Sequence, residues 1–574
     1  MNNDFFAVTP DFDAADVRGI AAKLFHDATA AAGSLPVSSA AASPLPAPVP
    51  AAPPAHPPGS LHSIPHMTPQ ITPQIFTDTA QARTLAESAS LRAATQRLHS
   101  PSLPPHQTYN SAPAPAVPAQ ADSAVTRFVS QLHSLQHNQQ AGLLAPGLDS
   151  ITSGLHRAAA QAAGQHAGTR VFDPLQIKAD FPILQQKIHG QPLVWLDNAA
   201  TTQKPRCVID AISRFYLNDN SNIHRAAHTL AARATDAWEN ARQSVQQFLG
   251  AASPSEIIFL RGTTEAINLV AQTVGRCFLR PGDEIVLTVL EHHANIVPWQ
   301  MAARETGAVI KVVPVDDRGE IQLDAYESLL SSRTKLVSLT HASNSLGTIL
   351  PVQQMTAAAK RHGALVLIDG AQTVSHMPVN VQAIGCDFFV FSGHKLFAPT
   401  GIGALFARHE LQQVMPPWQG GGNMIRTVTF EETTFSEPPA KFEAGTPSIA
   451  DAVGLHAAIN YLLALGWPAI LRHEHELLEY GTARLLEIPG LRLIGQARHK
   501  VGVLSFVLPG KTPVEIGQIL DRHGIAVRAG HHCAQPSLRR FGLDATVRPS
   551  LAIYNTTSDI DRLADAVRRI ATNH

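Results

Sequence analysis

ALVLIDGAQ, at residues 364–372, is a short apolar run that ends in a carboxylate, a glycine and an amide. KLVSLTHASN (335–344) and DFFVFSGHK (387–395) repeat this scheme, as do EIIFL (256–260) and EIVLTVL (284–290) with the residues that follow them. Apolar runs that do not alternate with polar residues are typical of strands buried on both faces of a mostly parallel sheet. The sequence therefore predicts an α/β protein with helices between these strands.

A second, smaller α/β unit is predicted after about residue 440. Its segments are the strand VGVLSFVLP (501–509), the helix VEIGQILDRHG (514–524), the strand and loop IAVRAGHHC (525–533) and the amphipathic helix SDIDRLADAVRRIA (558–571). We therefore expect an arm and large domain at 169–440 and a small C-terminal domain at 441–574.

Polar residues lie where a ligand site is expected, at the carboxyl ends of the strands. Thr263 and Thr264 follow a glycine at a predicted helix N-terminus, which favours binding of a phosphate. Asp369 can hold a pyridinium nitrogen, and Gln372 can reach an adjacent ring oxygen. Lys395 ends an apolar strand, so desolvation makes it a candidate Schiff-base lysine.

Three more side chains complete this pattern. Ser392 and His394 lie beside the lysine, and His292 ends another strand, where its ring can stack on a planar ligand. A phosphate-binding loop, a carboxylate for a ring nitrogen, a stacking imidazole and a buried lysine are what pyridoxal phosphate requires. The sequence thus predicts a pyridoxal-phosphate site.

Cys533 is the candidate nucleophile, because RAGHHCAQP is a polar loop that can stabilise a thiolate. A metal site formed by His531, His532 and Cys533 is disfavoured, since contiguous residues do not converge easily on one ion, and no metal is predicted. Arg548 can bind a substrate carboxylate in a bidentate pair. The other cysteines are interpreted as structural: Cys207, Cys277 and Cys386.

The first 170 residues differ in composition from the rest of the 574-residue chain. They hold 20 of the 42 prolines and none of the five tryptophans. Such a segment cannot bury enough apolar area to offset chain entropy, so residues 1–168 are predicted to be a disordered extension. Helical-spaced apolar islands at 11–26 and 121–137 indicate partner-binding motifs, although weak helices packed on the chain's own body are the alternative.

Charge and cysteine use limit the class of protein. Lys+Arg number 44 and Asp+Glu 45, a net charge of −1 that gives no electrostatic footprint for nucleic acid or an anionic membrane. Four cysteines without paired spacing indicate a reducing compartment. The sequence shows no secretory signal and no apolar run long enough for a membrane span, so a cytoplasmic protein is expected.

From about residue 171 onward the sequence resembles the SufS-type cysteine desulfurases of the class V aminotransferase group, which have the type I pyridoxal-phosphate fold. The resemblance is carried by LDNAATTQKP, NIHRAAHTL, RGTTEAINLVA, EHHANIVPWQ, ASNSLGT, DGAQ, FSGHKLFAPTGIGAL, PPWQGGGNMI, FEAGTP, RAGHHCAQP and RPSLAIYNT. It implies a homodimer that removes sulfur from L-cysteine, releases alanine and passes the sulfur to an acceptor protein similar to SufE or SufU.

The resemblance also implies a role for each matching residue. Lys395 would carry the cofactor; Thr264, Ser392, His394 and the partner's Thr446 would hold its phosphate; Asp369 and Gln372 would bind its ring; His292 would stack on it; Asn344 and Arg548 would bind the substrate carboxylate; His224 and Arg528 would line the pocket; Cys533 would accept the sulfur.

The long extension resembles that of desulfurases carried as cargo by family 2 encapsulins. This resemblance implies that residues 1–168 bind the inside of a protein shell, so an encapsulin nanocompartment is the expected location. Two other functions remain open. One is a different enzyme of the same fold: a selenocysteine lyase, an aminotransferase or a kynureninase-like hydrolase. The other is a non-catalytic scaffold whose tail recruits partners.

Overall fold

The computed structural model describes residues 172–224 and 227–572. The predicted extension at 1–168, with its binding islands, lies outside these residues. The helices are α1 Pro174–Ala179, α2 Arg206–Asn218, α3 Thr229–Leu249, α4 Thr263–Val270, α5 Arg276–Phe278, α6 Val297–Thr306, α7 Leu323–Leu329, α8 Val352–Arg361, α9 Val381–Ile384, α10 His409–Val414, α11 Ile449–Leu465, α12 Trp467–Leu486, α13 Pro513–Arg522, α14 Gln535–Arg540 and α15 Thr557–Thr572.

The strands are mostly short. They are β1 Lys187–Ile188, β2 Gln191–Pro192, β3 Val194–Trp195, β4 Ile257–Leu260, β5 Glu284–Thr288, β6 Val309–Val313, β7 Thr334–Thr340, β8 Leu365–Asp369, β9 Phe388–Ser392, β10 Gly403–Ala407, β11 Ile425–Val428, β12 Thr433–Phe435, β13 Arg492–Leu493, β14 Phe506–Val507, β15 Ile525–Ala526, β16 Arg528–Gly530 and β17 Thr546–Arg548.

A seven-stranded sheet in the order β4-β10-β9-β8-β7-β5-β6 forms the frame of the larger part. Every pair in it is parallel except those of β10, which runs antiparallel to both β4 and β9. Strands β5, β9 and β10 are buried along their whole length. The mostly parallel, two-sided sheet predicted from the unbroken apolar runs is therefore confirmed.

Helices cover both faces of this sheet and leave two apolar cores. One core holds Trp238 of α3 and Leu455 of α11 with one set of strand side chains. The other holds Ile267 of α4 and Trp299 of α6 with the opposite set. Each core residue removes apolar surface from water, worth roughly 1.5–3 kcal/mol for a large side chain. Packing on both faces holds the sheet in place, and the carboxyl ends of its parallel strands lie together at one edge of it.

A smaller, antiparallel sheet in the order β13-β14-β17-β16 packs against α12, α13 and α15 around a third core. Helix α13 begins as its sequence dictates: Thr512 accepts from the Glu515 amide, and Glu515 accepts from the Thr512 amide. Strand β15 leaves this unit and pairs in parallel with β3 near the start of the described chain. That pairing carries residues around 197 toward β16 and β17.

Among the described residues, no single helix has the length and apolar character to cross a membrane. The bent pair α11 and α12, at 81°, meets that test only when both helices are taken together. The domain boundary at residue 440 stays a prediction.

We predict that Gly403→Ala lowers stability and disturbs the loop before α4. A Cβ at this position would lie 2.5 Å from the Phe391 carbonyl oxygen and 2.6 Å from the Gly262 Cα, and neither backbone atom can move freely. Overpacking of this kind costs about 1–3 kcal/mol. Thermal unfolding measures the effect, with Gly420→Ala as the matched control because its Cβ would meet nothing within 4 Å. Equal melting temperatures for the two variants would contradict the prediction.

Candidate active site

Lys395 lies in a short 3₁₀ turn, Gly393–Lys395, directly after β9. Burial lowers the pKa of its amine to about 8; the Asp369 and Cys533 charges oppose this fall, and those of Arg548 and Arg528 add to it. The surroundings thus hold a lysine that loses its proton readily and has charged groups from four other positions near it. Such an amine is suited to covalent and proton-transfer chemistry.

Asp369 ends β8, the parallel neighbour of β9. Its carboxylate is buried and accepts from the Ala371 amide at 2.9 Å. Burial raises its pKa, while the Ala371 amide and Lys395 oppose the rise. Gln372 follows three residues later and donates to the Ala199 carbonyl at 2.7 Å. Parallel pairing therefore brings Asp369 and Lys395 to one edge of the sheet.

The loop before α4 is joined to the end of β9. Gly262 caps the helix at φ 152°, and a Cβ there would meet the Ser392 Oγ at 2.9 Å. The Ser392 hydroxyl accepts from the Thr263 amide and donates to the Thr263 hydroxyl, each at 2.9 Å. Thr264 is exposed in the first turn of α4. The helix N-terminus and these hydroxyls form a site with the chemistry of a phosphate cradle.

Two histidines lie near the lysine. His292 follows the β5 strand, and its Nδ1 accepts from the Ala294 amide at 3.0 Å. Burial and the nearby Lys395 lower its pKa to about 3. Burial also lowers the pKa of His394 to about 4. Both rings are therefore neutral near pH 7, which favours stacking or hydrogen bonding over ion pairing.

Arg548 is buried at the end of β17 and directly faces Arg528 of β16 across the antiparallel pair. Asp197 lies between them: it accepts from Arg528 Nε at 3.1 Å and Nη2 at 2.9 Å, and from Arg548 Nη2 at 3.3 Å. Arg548 also donates to the Asn344 carbonyl at 2.9 Å. Burial lowers the pKa of Arg548 to about 10, and Asp197 opposes that fall.

Cys533 lies exposed on a loop that is tied to the site from both sides. Asn344 Nδ2 donates to the His532 carbonyl at 2.6 Å, and the His293 amide donates to the Cys533 carbonyl at 2.8 Å. His532 and Cys533 both have positive φ, 53° and 52°, a conformation that costs non-glycine residues energy. These contacts hold the strained loop beside the residues that follow β5 and β7.

Two predicted site residues are not joined to this cluster within the described chain. His224 contacts Glu239 and Asn423, each at 3.2 Å, and hydrogen bonding to Glu239 raises its pKa. Thr446 is exposed, and the structure contains one chain. A role for either residue in the site remains a prediction.

Sequence reasoning missed Asp197 and His293. Asp197 stands in the quoted motif LDNAATTQKP, and its signal was a carboxylate directly after a short apolar run. His293 is adjacent to the predicted His292 and contacts the cysteine loop instead of the lysine. In both cases the residue lies in one of the quoted motifs, but the residues that it contacts are far away in sequence.

Comparison with known proteins now places the chain. The family model described as Aminotransferase class-V matches residues 194–563. The chain belongs to this family. A cysteine desulfurase of Dickeya dadantii is 50% identical over 396 residues, covering 69% of this chain and 96% of that protein.

Longer members of the class-V family are more similar. A cysteine desulfurase of Synechococcus elongatus is 62% identical over 410 residues, covering 71% of this chain and 66% of that protein. A probable cysteine desulfurase of Mycolicibacterium paratuberculosis is 60% identical over 401 residues, covering 70% of this chain and 58% of that protein. The chain thus spans less than two thirds of the length of either relative.

Solved structures of class-V relatives share the fold. The apo cysteine desulfurase of Thermococcus onnurineus NA1 aligns at TM-score 0.67 and 37% identity, covering 71% of this chain and all of that one. The Escherichia coli cysteine desulfurase CsdA aligns at TM-score 0.64 and 40% identity, covering 70% and 98%. The predicted type I fold of pyridoxal-phosphate enzymes is therefore confirmed, and pyridoxal phosphate is the cofactor of this class-V chain.

The residues present fit that cofactor. Besides the phosphate cradle and the Asp369–Lys395 pair, three of the buried side-chain atoms without a hydrogen-bond partner in the described residues belong to this cluster: Asn344 Oδ1, His532 Nδ1 and Arg548 Nε. Unsatisfied buried polar atoms are rare and indicate a missing ligand or water. Two of the three belong to residues predicted to bind a substrate carboxylate.

We predict that the buried histidine His341 makes stability depend on pH. Burial lowers its pKa from 6.5 to about 4, so the unfolded chain takes up a proton there that the folded chain excludes. The free energy of unfolding therefore falls as pH decreases from about 6.5 toward 4. One such histidine contributes up to about 1.4 kcal/mol per pH unit.

Urea unfolding between pH 5 and 7 tests this prediction with His341→Asn. The free energy of unfolding of His341→Asn should change less with pH than that of the wild type. The control His362→Asn, at an exposed position, should keep the wild-type pH dependence. Identical slopes for wild type and His341→Asn would show that His341 does not contribute.

Proposed function

We propose that the chain is a cysteine desulfurase that converts L-cysteine to alanine and leaves the sulfur as a persulfide on Cys533. The observation that carries this proposal is the position of Cys533. Its loop follows β16 of the antiparallel sheet, and it is held by Asn344 and His293, which follow strands of the parallel sheet that also leads to Lys395. The names of the relatives support the same reaction. An amine and a thiol that face one pocket match a reaction that needs a base and a sulfur nucleophile.

Substrate binding follows from the unpaired groups. Arg548 has Nε free of any partner in the described residues, and its Nη groups are held by Asp197 and Asn344. A guanidinium fixed in this way binds a planar carboxylate with two parallel hydrogen bonds. The Asn344 side chain completes the same pocket, so L-cysteine enters with its carboxylate at the β17 end.

Lys395 then moves the substrate proton. Its pKa of about 8 leaves a useful fraction of neutral amine near pH 7, so it can take the Cα proton of the substrate. When bound, pyridoxal phosphate supplies an electron sink for the carbon that loses this proton. Asp369 would hold the ring nitrogen of that cofactor, and His292 would stack on its ring and assist proton transfer.

Cys533 completes the reaction by attacking the substrate sulfur. A new S–S bond forms and the C–S bond breaks; its electron pair stays with the carbon skeleton, which takes a proton and leaves as alanine. One L-cysteine and one Cys533 thiol thus give one alanine and one Cys533 persulfide. The exposed loop leaves that sulfur accessible, which suits transfer to an acceptor protein of the SufE or SufU type.

We further propose that the enzyme is a homodimer in which the partner's Thr446 contacts the cofactor phosphate, and that residues 1–168 bind an encapsulin shell. Thr446 lies in the FEAGTP motif (442–447), in which Glu443 is held by Arg242 at 2.8 Å. A fixed Glu443 gives the exposed Thr446 a defined position on the surface.

The change in composition near residue 170 supports a separate role for the extension, residues 1–168.

Alanine release from L-cysteine, with a reductant present, tests the chemistry. We expect Cys533→Ala to lose at least 100-fold of the activity and to keep the yellow colour of the bound cofactor. Cys277→Ala, which removes another exposed cysteine, should stay active. An aminotransferase needs no residue 533, so equal activity of wild type and Cys533→Ala would overturn the proposal. A wild-type protein that is colourless and inactive would favour the non-catalytic scaffold. A preference for selenocysteine over cysteine as substrate would favour a selenocysteine lyase.

Deleting residues 1–168 tests the role of the extension. Because the described residues hold the whole proposed catalytic cluster, the truncated enzyme should release alanine at the wild-type rate. Co-expression with a family 2 encapsulin shell, followed by isolation of the shells, should recover the full chain and not the truncated one. Equal loading of both chains would contradict shell binding by this segment.

A further inference from the structure

A second cluster lies on the outer side of the cysteine loop. The ligand atoms of His293, His531 and Cys533 all lie within 4.8 Å of one another. The rings of His293 and His531 stack with centroids 5.7 Å apart and an interplanar angle of 28°. Within the described parts of the chain, no other group of three His, Cys, Asp or Glu side chains gathers in this way.

The cluster differs from the metal site considered from sequence. His532 turns inward, where its Nε2 lies 2.8 Å from the Thr546 hydroxyl. The residue that replaces it, His293, comes from the segment after β5, more than 200 residues away in sequence. Three donors from two separate loops can surround one ion, which three contiguous residues cannot do easily. The objection to a metal site in this loop therefore no longer applies.

From these donors we propose that His293, His531 and Cys533 form a binding site for Zn²⁺ that caps the Cys533 sulfur. Two imidazole nitrogens and a thiolate are preferred zinc ligands, and the fourth tetrahedral position is open to water or to an incoming thiol. Binding converts the Cys533 thiol to a zinc-bound thiolate and releases one proton. The metal-bound sulfur is unavailable for attack, so the site reversibly inhibits the proposed desulfurase reaction.

The donors need only small movements to reach zinc geometry. Tetrahedral zinc with bonds of about 2.0–2.3 Å separates its ligand atoms by about 3.5 Å, roughly 1 Å less than the present limit. His531 and Cys533 are exposed, so rotation of their side chains is unhindered. No carboxylate belongs to the group, which favours zinc over calcium or magnesium.

Two weak hydrogen bonds compete with the metal. The Cys533 amide donates to His531 Nδ1 at 3.1 Å, and the Gln535 amide donates to His293 Nε2 at 3.2 Å. Both contacts are exposed, so water can replace the imidazole acceptors when a metal takes their lone pairs. A metal that binds either of these nitrogens therefore replaces one hydrogen bond of the loop.

Equilibrium binding of Zn²⁺ to the full-length holoenzyme tests the site without any substrate. Competition with a chromophoric chelator gives the affinity, and Co²⁺ reports tetrahedral thiolate ligation through visible bands at wavelengths longer than the cofactor absorbs. We expect His293→Ala and His531→Ala each to weaken binding at this site at least tenfold, and Cys533→Ser to remove the thiolate–Co²⁺ signal. The cofactor colour and melting temperature show that each variant is folded.

Matched controls separate this site from other donors in a chain with 28 histidines. Cys277→Ser and His362→Ala remove an exposed cysteine and an exposed histidine elsewhere and should bind as wild type. Unchanged Zn²⁺ affinity in both His293→Ala and His531→Ala would overturn the proposal, because Cys533 would then bind alone. Absence of any Cys533-dependent binding would overturn it as well.

The consequence for activity rests on the proposed function and is measured separately. Zn²⁺ should inhibit alanine release by the wild type, and His293→Ala should require at least tenfold more Zn²⁺ for the same inhibition. If alanine release is absent but Cys533-dependent binding is present, the proposed function fails and the metal site stands. If release is present and Zn²⁺ does not inhibit it, the capping role fails.

Discussion

The site depends on one carboxylate placed between two guanidinium groups. Arg528 and Arg548 are directly opposite each other on neighbouring antiparallel strands, a position in which like charges repel. Asp197 accepts hydrogen bonds from both arginines, and its negative charge offsets the repulsion between them where β16 and β17 pair. Asp197 and Arg548 are both buried, and removing one partner from a buried ion pair costs about 3–5 kcal/mol. This contact therefore fixes Arg548, and the hydrogen bonds from Arg528 attach the strand that leads into the cysteine loop.

The two sheets contribute different halves of the chemistry. The parallel sheet brings Lys395 and Asp369 together, because strands β8 and β9 end at the same edge. The antiparallel sheet supplies Arg548 and the strained loop with Cys533. The Asn344 side chain, which follows β7, donates to the carbonyl beside Cys533 and so joins the halves. The groups proposed for covalent and for nucleophilic chemistry are thus held by two different sheets.

Much of this arrangement can be predicted from the sequence, because local signals control it. Apolar runs without alternation gave the parallel sheet, and the rule that parallel strands end at one edge placed Asp369 near Lys395. Asp197 could not be given a role in the same way, since its partners lie more than 300 residues further along the chain. The antiparallel order of the second sheet depends on equally distant pairings.

The cysteine loop shows a second limit on what the sequence predicts. Sequence places two histidines beside Cys533, but only the backbone conformation decides which of them faces the thiol. At positive φ the chain turns His532 inward to Thr546 and leaves His531 outside. The imidazole that joins His531 comes from position 293, a contact that no local pattern in either segment reveals.

The pairing of β3 with β15 has a consequence for how the protein is made. During synthesis Asp197 leaves the ribosome long before Arg528 and Arg548 are translated. Its carboxylate therefore remains solvated until these two partners are present. Contacts this distant in sequence form late and slowly. The cluster around Lys395 is complete only after β16 and β17 have been translated. A chain that stops before β16 therefore has Lys395 but neither Cys533 nor the two arginines, and it lacks half of the proposed site.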